Sequence, residues 1–373
     1  MSQINTNAIL DASGGTTATV NGFTPTVSNM AGRNRIINGD MRIDQRNAGA
    51  SVTITTDGQY TLDRFDVKSS VSSKLTAQQN AGSVTPADGF PKYLGLTSTS
   101  AYSVGATEYF YLEQRIEAYN TNDLMWGTAG AKTVTLSFWV YSSLTGTFGG
   151  SIFNGAANRS YPYTYTVSSA NTWTKVSVTI PGDTSGTWAG TNGIGMFVSF
   201  GLGVGTSNSG TPGAWSGTLY RSATGATSVV GTSGATFYIT GVQLEEGSVA
   251  TPFEHRQYGQ ELALCQRYYW NIGPILESFQ GFVAVGSTGG DVYVRYPVPM
   301  RSAPAITYTS LSDYFVFIWN SSIGKTLTGI TLLYANTIKG VLGVNWSGAS
   351  GTAGTGLSLD IKNTEVLQFS SEL

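Results

Sequence analysis

The sequence has one cysteine and one histidine among 373 residues. A single thiol, Cys265, excludes an intrachain disulfide and a zinc site built on cysteines. Helical spacing places Cys265 on one face with Tyr258 and Leu262, so we expect a buried thiol and not a nucleophile. A single imidazole, His255, excludes a metal site built on several histidines. No nucleophile-elbow pattern of glycines lies beside it, so we expect a structural or interfacial role.

Charge and long apolar runs are also scarce. Charged residues make up 11% of the chain, against about 25% in an average soluble protein. The net charge is −2 and the basic residues are scattered, apart from four arginines between Arg33 and Arg46, so we expect no nucleic-acid partner. No apolar run is long enough to cross a bilayer, and the N-terminus resembles no signal peptide. We therefore expect synthesis in a cytoplasm, without membrane insertion.

Glycine, serine, threonine and aromatic residues are abundant instead, with 47 glycines in the chain. Residues 133–141 and 172–180 alternate hydroxyl and apolar side chains, a period of two that is typical of strands with one buried face. Short strands separated by Gly- and Pro-containing turns predict an all-β chain with a jelly-roll β-sandwich. A neutral surface rich in hydroxyls suits neutral polymers such as sugars, and it also suits simple solubility.

Composition and periodicity divide the chain into four segments. Residues 33–253 are predicted to form the jelly roll, residues 254–270 a helical linker, and residues 271–373 a smaller C-terminal β domain that serves as a trimerisation or tip domain. Residues 1–32 lack the apolar periodicity of a core, so a partner surface must order them unless they form a flexible tail. The apolar residues that would dock this arm on its partner are Ile4, Ile9, Leu10 and Phe23.

Three motifs lie at residues 34–41 (Asn-Arg-Ile-Ile-Asn-Gly-Asp-Met), 241–254 and 297–304. In this order they resemble motifs of bacteriophage tail-fibre and related virion fibre proteins. Asn-Gly-Asp at 38–40 and Leu-Asp-Arg-Phe at 62–65 are similar to the opening strands of carbohydrate-binding-module-like domains in such fibres. Gln-Leu-Glu-Glu-Gly and Pro-Phe-Glu, both within 241–254, are similar to the closing strand.

The resemblance implies a homotrimeric virion tail fibre without enzymatic activity, which attaches the phage to glycans on the host surface as its receptor. Its partners would be other copies of the chain, phage tail or capsid proteins bound through the N-terminal arm, and the host glycan. A head fibre or capsid-decoration protein with the same modules is an alternative. A depolymerase of surface polysaccharide is a further one.

Aromatic side chains are the candidates for glycan binding, because the apolar face of a sugar ring packs on them. Trp188 and Trp215 lie in Gly- and Ser-rich loops, where an aromatic side chain is less easily explained as core. Tyr161 and Tyr163 alternate with Tyr165 on one face of a strand. Packing between subunits is the competing explanation for these residues.

Carboxylate pairs are the candidates for glycoside cleavage, which needs two carboxyl groups that face each other across a cleft. The candidate pairs are Asp63 and Asp66, Glu113 and Glu117, and Glu245 and Glu246. The sequence offers no visible site, and we expect Asp63 and Glu245 to belong to a structural network near the opening and closing strands. No cofactor is expected, apart from a possible structural calcium ion suggested by the jelly-roll resemblance. Its candidate ligands are Asp40 and Glu245, and salt bridges from Arg35 or Arg64 are the alternative use of these carboxylates.

Overall fold

The computed structural model describes residues 32–272, 278–283, 288–308, 310–311, 314–318, 324–348, 355–361 and 366–373. The arm residues Ile4, Ile9, Leu10 and Phe23 lie outside the described residues. The chain divides after Arg256 into two compact units.

None of the helices among the described residues is both long enough and apolar enough to cross a membrane.

The first unit consists of strands, short 3-10 turns and loops. The 3-10 turns span Ala81–Ser83, Ala118–Asn120, Asn122–Leu124 and Thr206–Asn208. The strands are β1 (Val52–Thr53), β2 (Gln59–Leu62), β3 (Phe65–Ser69), β4 (Leu75–Gln79), β5 (Leu94–Ser98), β6 (Tyr109–Glu117), β7 (Val134–Ser142), β8 (Gly146–Asn154), β9 (Ser160–Val167), β10 (Thr174–Ile180), β11 (Ile194–Val204), β12 (Ser209–Gly210), β13 (Ser222–Ala223) and β14 (Thr236–Glu246).

Two six-stranded sheets make the sandwich of this unit. Sheet one has the order β1-β4-β5-β14-β7-β10, and sheet two has the order β2-β3-β6-β11-β8-β9. All neighbouring strands in both sheets are antiparallel. One continuous apolar core lies between the two sheets, so the predicted all-β jelly-roll sandwich is confirmed.

The alternation read from residues 133–141 and 172–180 corresponds to β7 and β10. In β7, Leu136, Phe138 and Val140 are buried in the core, and β10 pairs along the whole strand from Thr174 to Ile180. Thr135 and Ser137 have the opposite parity, so they lie on the side of sheet one that faces away from the core.

The second unit begins with a helix and continues as strands. Its elements are α1 (Tyr258–Gln266), β15 (Tyr269–Ile272), β16 (Ser278–Val283), β17 (Gly289–Arg295), β18 (Ala305–Thr307), β19 (Tyr314–Ile318), β20 (Gly324–Ala335), β21 (Lys339–Trp346), β22 (Gly356–Ile361) and β23 (Leu367–Ser370). Strands β16-β17-β21-β20-β19-β22 close into a barrel, and β15-β23-β18 form a small sheet. The barrel encloses its own apolar core, which includes Val292, Leu342 and Leu359.

The helix is shorter than the linker predicted over residues 254–270. It ends at Gln266, and Tyr269 already belongs to β15, where it pairs with Ser370 of β23. Tyr268 and Tyr269 are buried within the second unit. Cys265 is buried on the inner side of the helix, in agreement with the expectation of a structural thiol.

Candidate functional site

The opening and closing motifs of the first unit lie against each other. The side chain of Asn34 links them, because its Nδ2 donates to Val242 O at 3.0 Å and its Oδ1 accepts from Leu244 N at 3.1 Å. Asn38 holds the turn of the Asn-Gly-Asp motif in a left-handed conformation, with a φ of 60°. Its Nδ2 donates to the carbonyl oxygens of Ile43 at 2.8 Å and Asp63 at 3.0 Å. These motif residues therefore stabilise the module.

The Pro-Phe-Glu motif completes the same structural network. The carboxylate of Glu254 accepts hydrogen bonds from the backbone N–H groups of Gly32 at 2.7 Å and Asn34 at 2.8 Å. The Oε1 of Gln243 accepts from Glu254 N at 2.8 Å. Residue 254, assigned to the linker by sequence, is thus bound to the opening segment of the sandwich.

The two calcium candidates have partners within the protein. Glu245 accepts from Thr251 N at 2.8 Å and Thr251 Oγ1 at 2.6 Å, and Gln243 Nε2 donates to it at 2.9 Å. Asp40 pairs with Arg42. Arg35, expected as an alternative partner of these carboxylates, pairs instead with Asp123 at 2.5 Å. Within the part of the chain that the structure describes, no three His, Cys, Asp or Glu side chains gather as a metal site would require.

Trp188 and Trp215 meet at one end of the sandwich, where they pack edge to face on Trp126. The ring centroids of Trp126 lie 4.7 Å from those of Trp188 and 5.3 Å from those of Trp215. The indole N–H of Trp215 donates to Pro181 O at 2.8 Å, and that of Trp188 donates to a carboxylate oxygen of Asp183 at 3.3 Å. Both rings are half-buried against the core. The structure thus brings the two loop tryptophans together, but it uses them to close the core.

Tyr161, Tyr163 and Tyr165 do share one face of β9, but that face is the core. Tyr163 is fully buried, and its hydroxyl donates to Ser199 O at 2.8 Å. Tyr161 is buried against Trp215, with ring centroids 5.3 Å apart. As glycan-binding residues, Tyr161 and Tyr163 are corrected by the structure, because a ligand in solvent cannot reach their ring faces.

A different pair of carboxyl groups faces each other on sheet two. Asp66 of β3 and Glu113 of β6 are direct cross-strand partners, and both are buried. They have the opposite parity to the core residues Val67 and Leu112, so they lie on the side of sheet two that faces away from the core. The sequence pairs Asp63 with Asp66 and Glu113 with Glu117 do not describe this arrangement.

Arg115 holds the two carboxyl groups together. Its guanidinium bonds Asp66 through Nη2 and Glu113 through Nε, both at 3.1 Å. Burial, together with the neighbouring charge of Asp66, raises the pKa of Glu113 to about 8. Arg115 opposes this shift without cancelling it, so the buried pair of Asp66 and Glu113 holds a proton more tightly than two free carboxyl groups would.

Partly exposed rings and cations lie beside these carboxyls. The guanidinium of Arg115 lies 5.9 Å from the ring centroid of Tyr60 and 5.8 Å from that of Phe197. On the same side of the sheet, the guanidinium of Arg221 lies over Tyr109 at 4.9 Å. We define the sheet-two face as Tyr60, Asp66, Tyr109, Glu113, Arg115 and Phe197.

A loop covers the part of sheet two next to the sheet-two face. Arg221 belongs to this loop. Its carbonyl oxygen accepts a hydrogen bond from Ser199 Oγ of β11 at 2.8 Å, which holds the loop against the strand. The close approach requires Gly201, because a Cβ atom there would overlap the Ser222 side chain. The alternation of Tyr109, Tyr111, Glu113 and Arg115 along β6 was the only sequence signal for the sheet-two face, since its other members come from β2, β3 and β11.

No protein-family profile matches the sequence, and no curated protein matches it. Among solved structures, the enzymatically active domain of tailspike protein 4 from bacteriophage CBA120 matches at 12% identity and a TM-score of 0.30, over 57% of this chain and 21% of that chain. A putative sugar binding protein from Bacteroides thetaiotaomicron matches at 13% identity and a TM-score of 0.35, over 57% of this chain and 100% of that chain.

A third solved structure is the family 11 carbohydrate-binding module from Clostridium thermocellum in complex with a β-1,3-1,4-mixed-linked tetrasaccharide. It matches at 11% identity and a TM-score of 0.26, over 53% of this chain and 97% of that chain. These likenesses concern the fold alone.

Proposed function

We propose that this chain is a homotrimeric tail fibre of a bacteriophage virion, and that its jelly-roll unit binds glycans of the host surface. The observation that carries the proposal is the sheet-two face, where the rings of Tyr60 and Phe197 flank Arg115. Sugar rings pack their apolar C–H faces on aromatic side chains, and their hydroxyl groups bond to charged groups nearby. One face of one sheet supplies both kinds of contact.

In this proposal the paired carboxyls hold Arg115 in position on the face, and they do not cleave the glycan. Asp66 and Glu113 are both buried, and Arg115 bonds to both of them. A glycosidase needs its two carboxyl groups on either side of a bound glycosidic bond. We therefore propose no enzymatic activity. Incubation of host polysaccharide with the protein should release no new reducing ends, and release that Glu113→Gln abolishes would instead establish the depolymerase alternative.

The virion role and the trimer rest on the resemblance to phage fibre motifs. Of these motifs, the structure places residues 34–41 against 241–254 through Asn34 and Glu254. A head fibre or capsid-decoration protein would share these modules and differ in where it attaches. Immunogold labelling of intact virions separates the two roles: label at the tail supports the proposal, whereas label over the capsid supports the alternative.

Binding to the sheet-two face is tested with the full-length protein and surface polysaccharide purified from the host bacterium. The double variant Tyr60→Ala and Phe197→Ala should weaken binding at least about tenfold by calorimetry, because it removes both stacking platforms. Tyr141→Ala is the matched control, since this half-buried tyrosine lies on the outer side of sheet one. Equal affinity of the double variant and the control would contradict the assignment of this face.

A further inference from the structure

The barrel of the second unit carries exposed aromatic side chains on its outside. Tyr293 of β17 is the direct cross-strand partner of Val341 in β21, and Val341 pairs in turn with Tyr334 of β20. The three side chains therefore form a row on one face. Tyr293 and Tyr334 are each 54% exposed, so about half of each side chain is not used in packing the barrel. Two strand spacings separate the rings by about 9.5 Å, which is the scale of a disaccharide.

A bulge enlarges this apolar row. The register of β20 against β21 shifts between Leu332 and Tyr334, so Leu333 also points outward and is 57% exposed. The side chain of Leu333 lies over Gly343, in the middle of the face.

Two positive charges stand in the next row of the same face. Arg295 of β17 and Lys339 of β21 are direct cross-strand partners, and both side chains are exposed. Like charges in this position destabilise a sheet. Across the residues that the structure describes, neither side chain forms an ion pair or a hydrogen bond. An anionic ligand would relieve the repulsion between them.

A groove joins the two rows. Its volume is about 360 Å³, and its lining residues are Tyr293, Val294, Arg295, Asn336, Ile338 and Lys339. Sites for small ligands commonly have volumes of about 300 to 1,000 Å³. Asn336 fixes one wall, because its Oδ1 accepts from the backbone N–H groups of Ile338 at 2.8 Å and Lys339 at 2.9 Å.

We propose that this barrel face, made of Tyr293, Arg295, Tyr334, Ile338 and Lys339, binds a saccharide that bears a carboxylate or phosphate group. The two tyrosine rings pack on the sugar faces, and Arg295 and Lys339 bind the anionic group, for which the guanidinium fork is well shaped. The charge of the unpaired cations selects an acidic saccharide over a neutral one. The inference rests on the proposed attachment to surface glycans, but it assigns a second site in the other unit.

The test uses the full-length protein and three saccharides of matched length: an oligogalacturonide, a phosphorylated mannan oligosaccharide and an uncharged dextran. Calorimetry should show at least about tenfold tighter binding of one or both acidic saccharides than of dextran, with affinity falling as salt rises. Arg295→Gln and Lys339→Gln should each weaken acidic binding about tenfold without lowering the melting temperature, because each removes one of two charges that repel each other. Lys175→Gln removes an exposed cation from the first unit and should leave binding unchanged.

The outcomes separate this inference from the function proposed for the first unit. Acidic binding that is lost in Arg295→Gln and kept in the double variant of Tyr60 and Phe197 supports the barrel face. Binding lost only in the double variant overturns it and leaves the sheet-two face standing. Equal binding of dextran, tighter binding of a single-stranded DNA oligonucleotide, or a Tyr293→Ala variant with a lower molecular mass in light scattering also overturns it. The last result would make the face an interface between copies.

Discussion

The backbone N–H of Val242 donates a hydrogen bond of 2.9 Å to the carbonyl oxygen of Gly39, which fastens the closing strand of the sandwich to its opening segment. The contact is so close that a Cβ atom on Gly39 would overlap the carbonyl oxygen of Val242. Glycine at this position therefore has a steric reason, and the Asn-Gly-Asp motif is tied to the closing strand by geometry.

Gly39→Ala should lower the free energy of unfolding by about 1 to 3 kcal/mol, because the new methyl group forces the two backbones apart. Thermal or urea unfolding of the full-length protein measures the change. Gly217→Ala is the matched control, since nothing lies within 4 Å of a Cβ atom at that position. Equal stability of the two variants would show that the opening segment does not need this close approach.

Stability should fall as the pH rises, because Glu113 binds its proton more tightly in the folded protein. The pKa of Glu113 rises from a usual 4.5 to about 8. Its contribution to the free energy of unfolding is therefore complete below pH 4.5 and is lost as the pH rises through 8. The melting temperature should decrease between pH 5 and pH 9, and Glu113→Gln should flatten that decrease. A pH profile that Glu113→Gln leaves unchanged would show that another group dominates.

Trp188→Ala and Trp215→Ala should each cost about 1 to 3 kcal/mol of stability, less than the roughly 3 to 5 kcal/mol of a fully buried tryptophan. Both rings pack on Trp126, and both are half-buried. Glycan affinity measured well below the melting temperature should stay close to that of the wild type. A loss of affinity at unchanged stability would show that these two residues bind the glycan, as their position in loops suggested.

The protein should be a trimer in solution. Light scattering at low micromolar concentration should give three times the chain mass of 39.4 kDa. A monomer that unfolds in one cooperative step would count against the fibre assignment.

Local patterns predicted the sandwich well. The alternation in β7 and β10 needs no knowledge of distant residues, because a period of two already separates the buried row from the outer row. The two motif-bearing segments joined by Asn34 were predictable as neighbours for a similar reason, since the ends of a jelly roll lie close together.

The candidate site was harder to predict, because it depends on strand register and on packing between distant segments. Asp66 lies opposite Glu113 only because β3 pairs with β6 in this register. The sequence alone does not predict which strands pair or in which register. Trp188 and Trp215 were correctly placed in loops, but the buried Trp126, on which both of them pack, comes from a third segment. Tyr163 shows the same limit, because alternation identifies a shared face without saying which face is the core.

Competition for host cells tests the proposed attachment through the sheet-two face. If the protein is the proposed fibre, purified wild-type protein at saturating concentration should reduce adsorption of the phage, because it would occupy the same surface glycans. The double variant Tyr60→Ala and Phe197→Ala should compete at least about tenfold less well, whereas Tyr141→Ala should compete like the wild type. Full adsorption in the presence of saturating wild-type protein would contradict attachment through the sheet-two face.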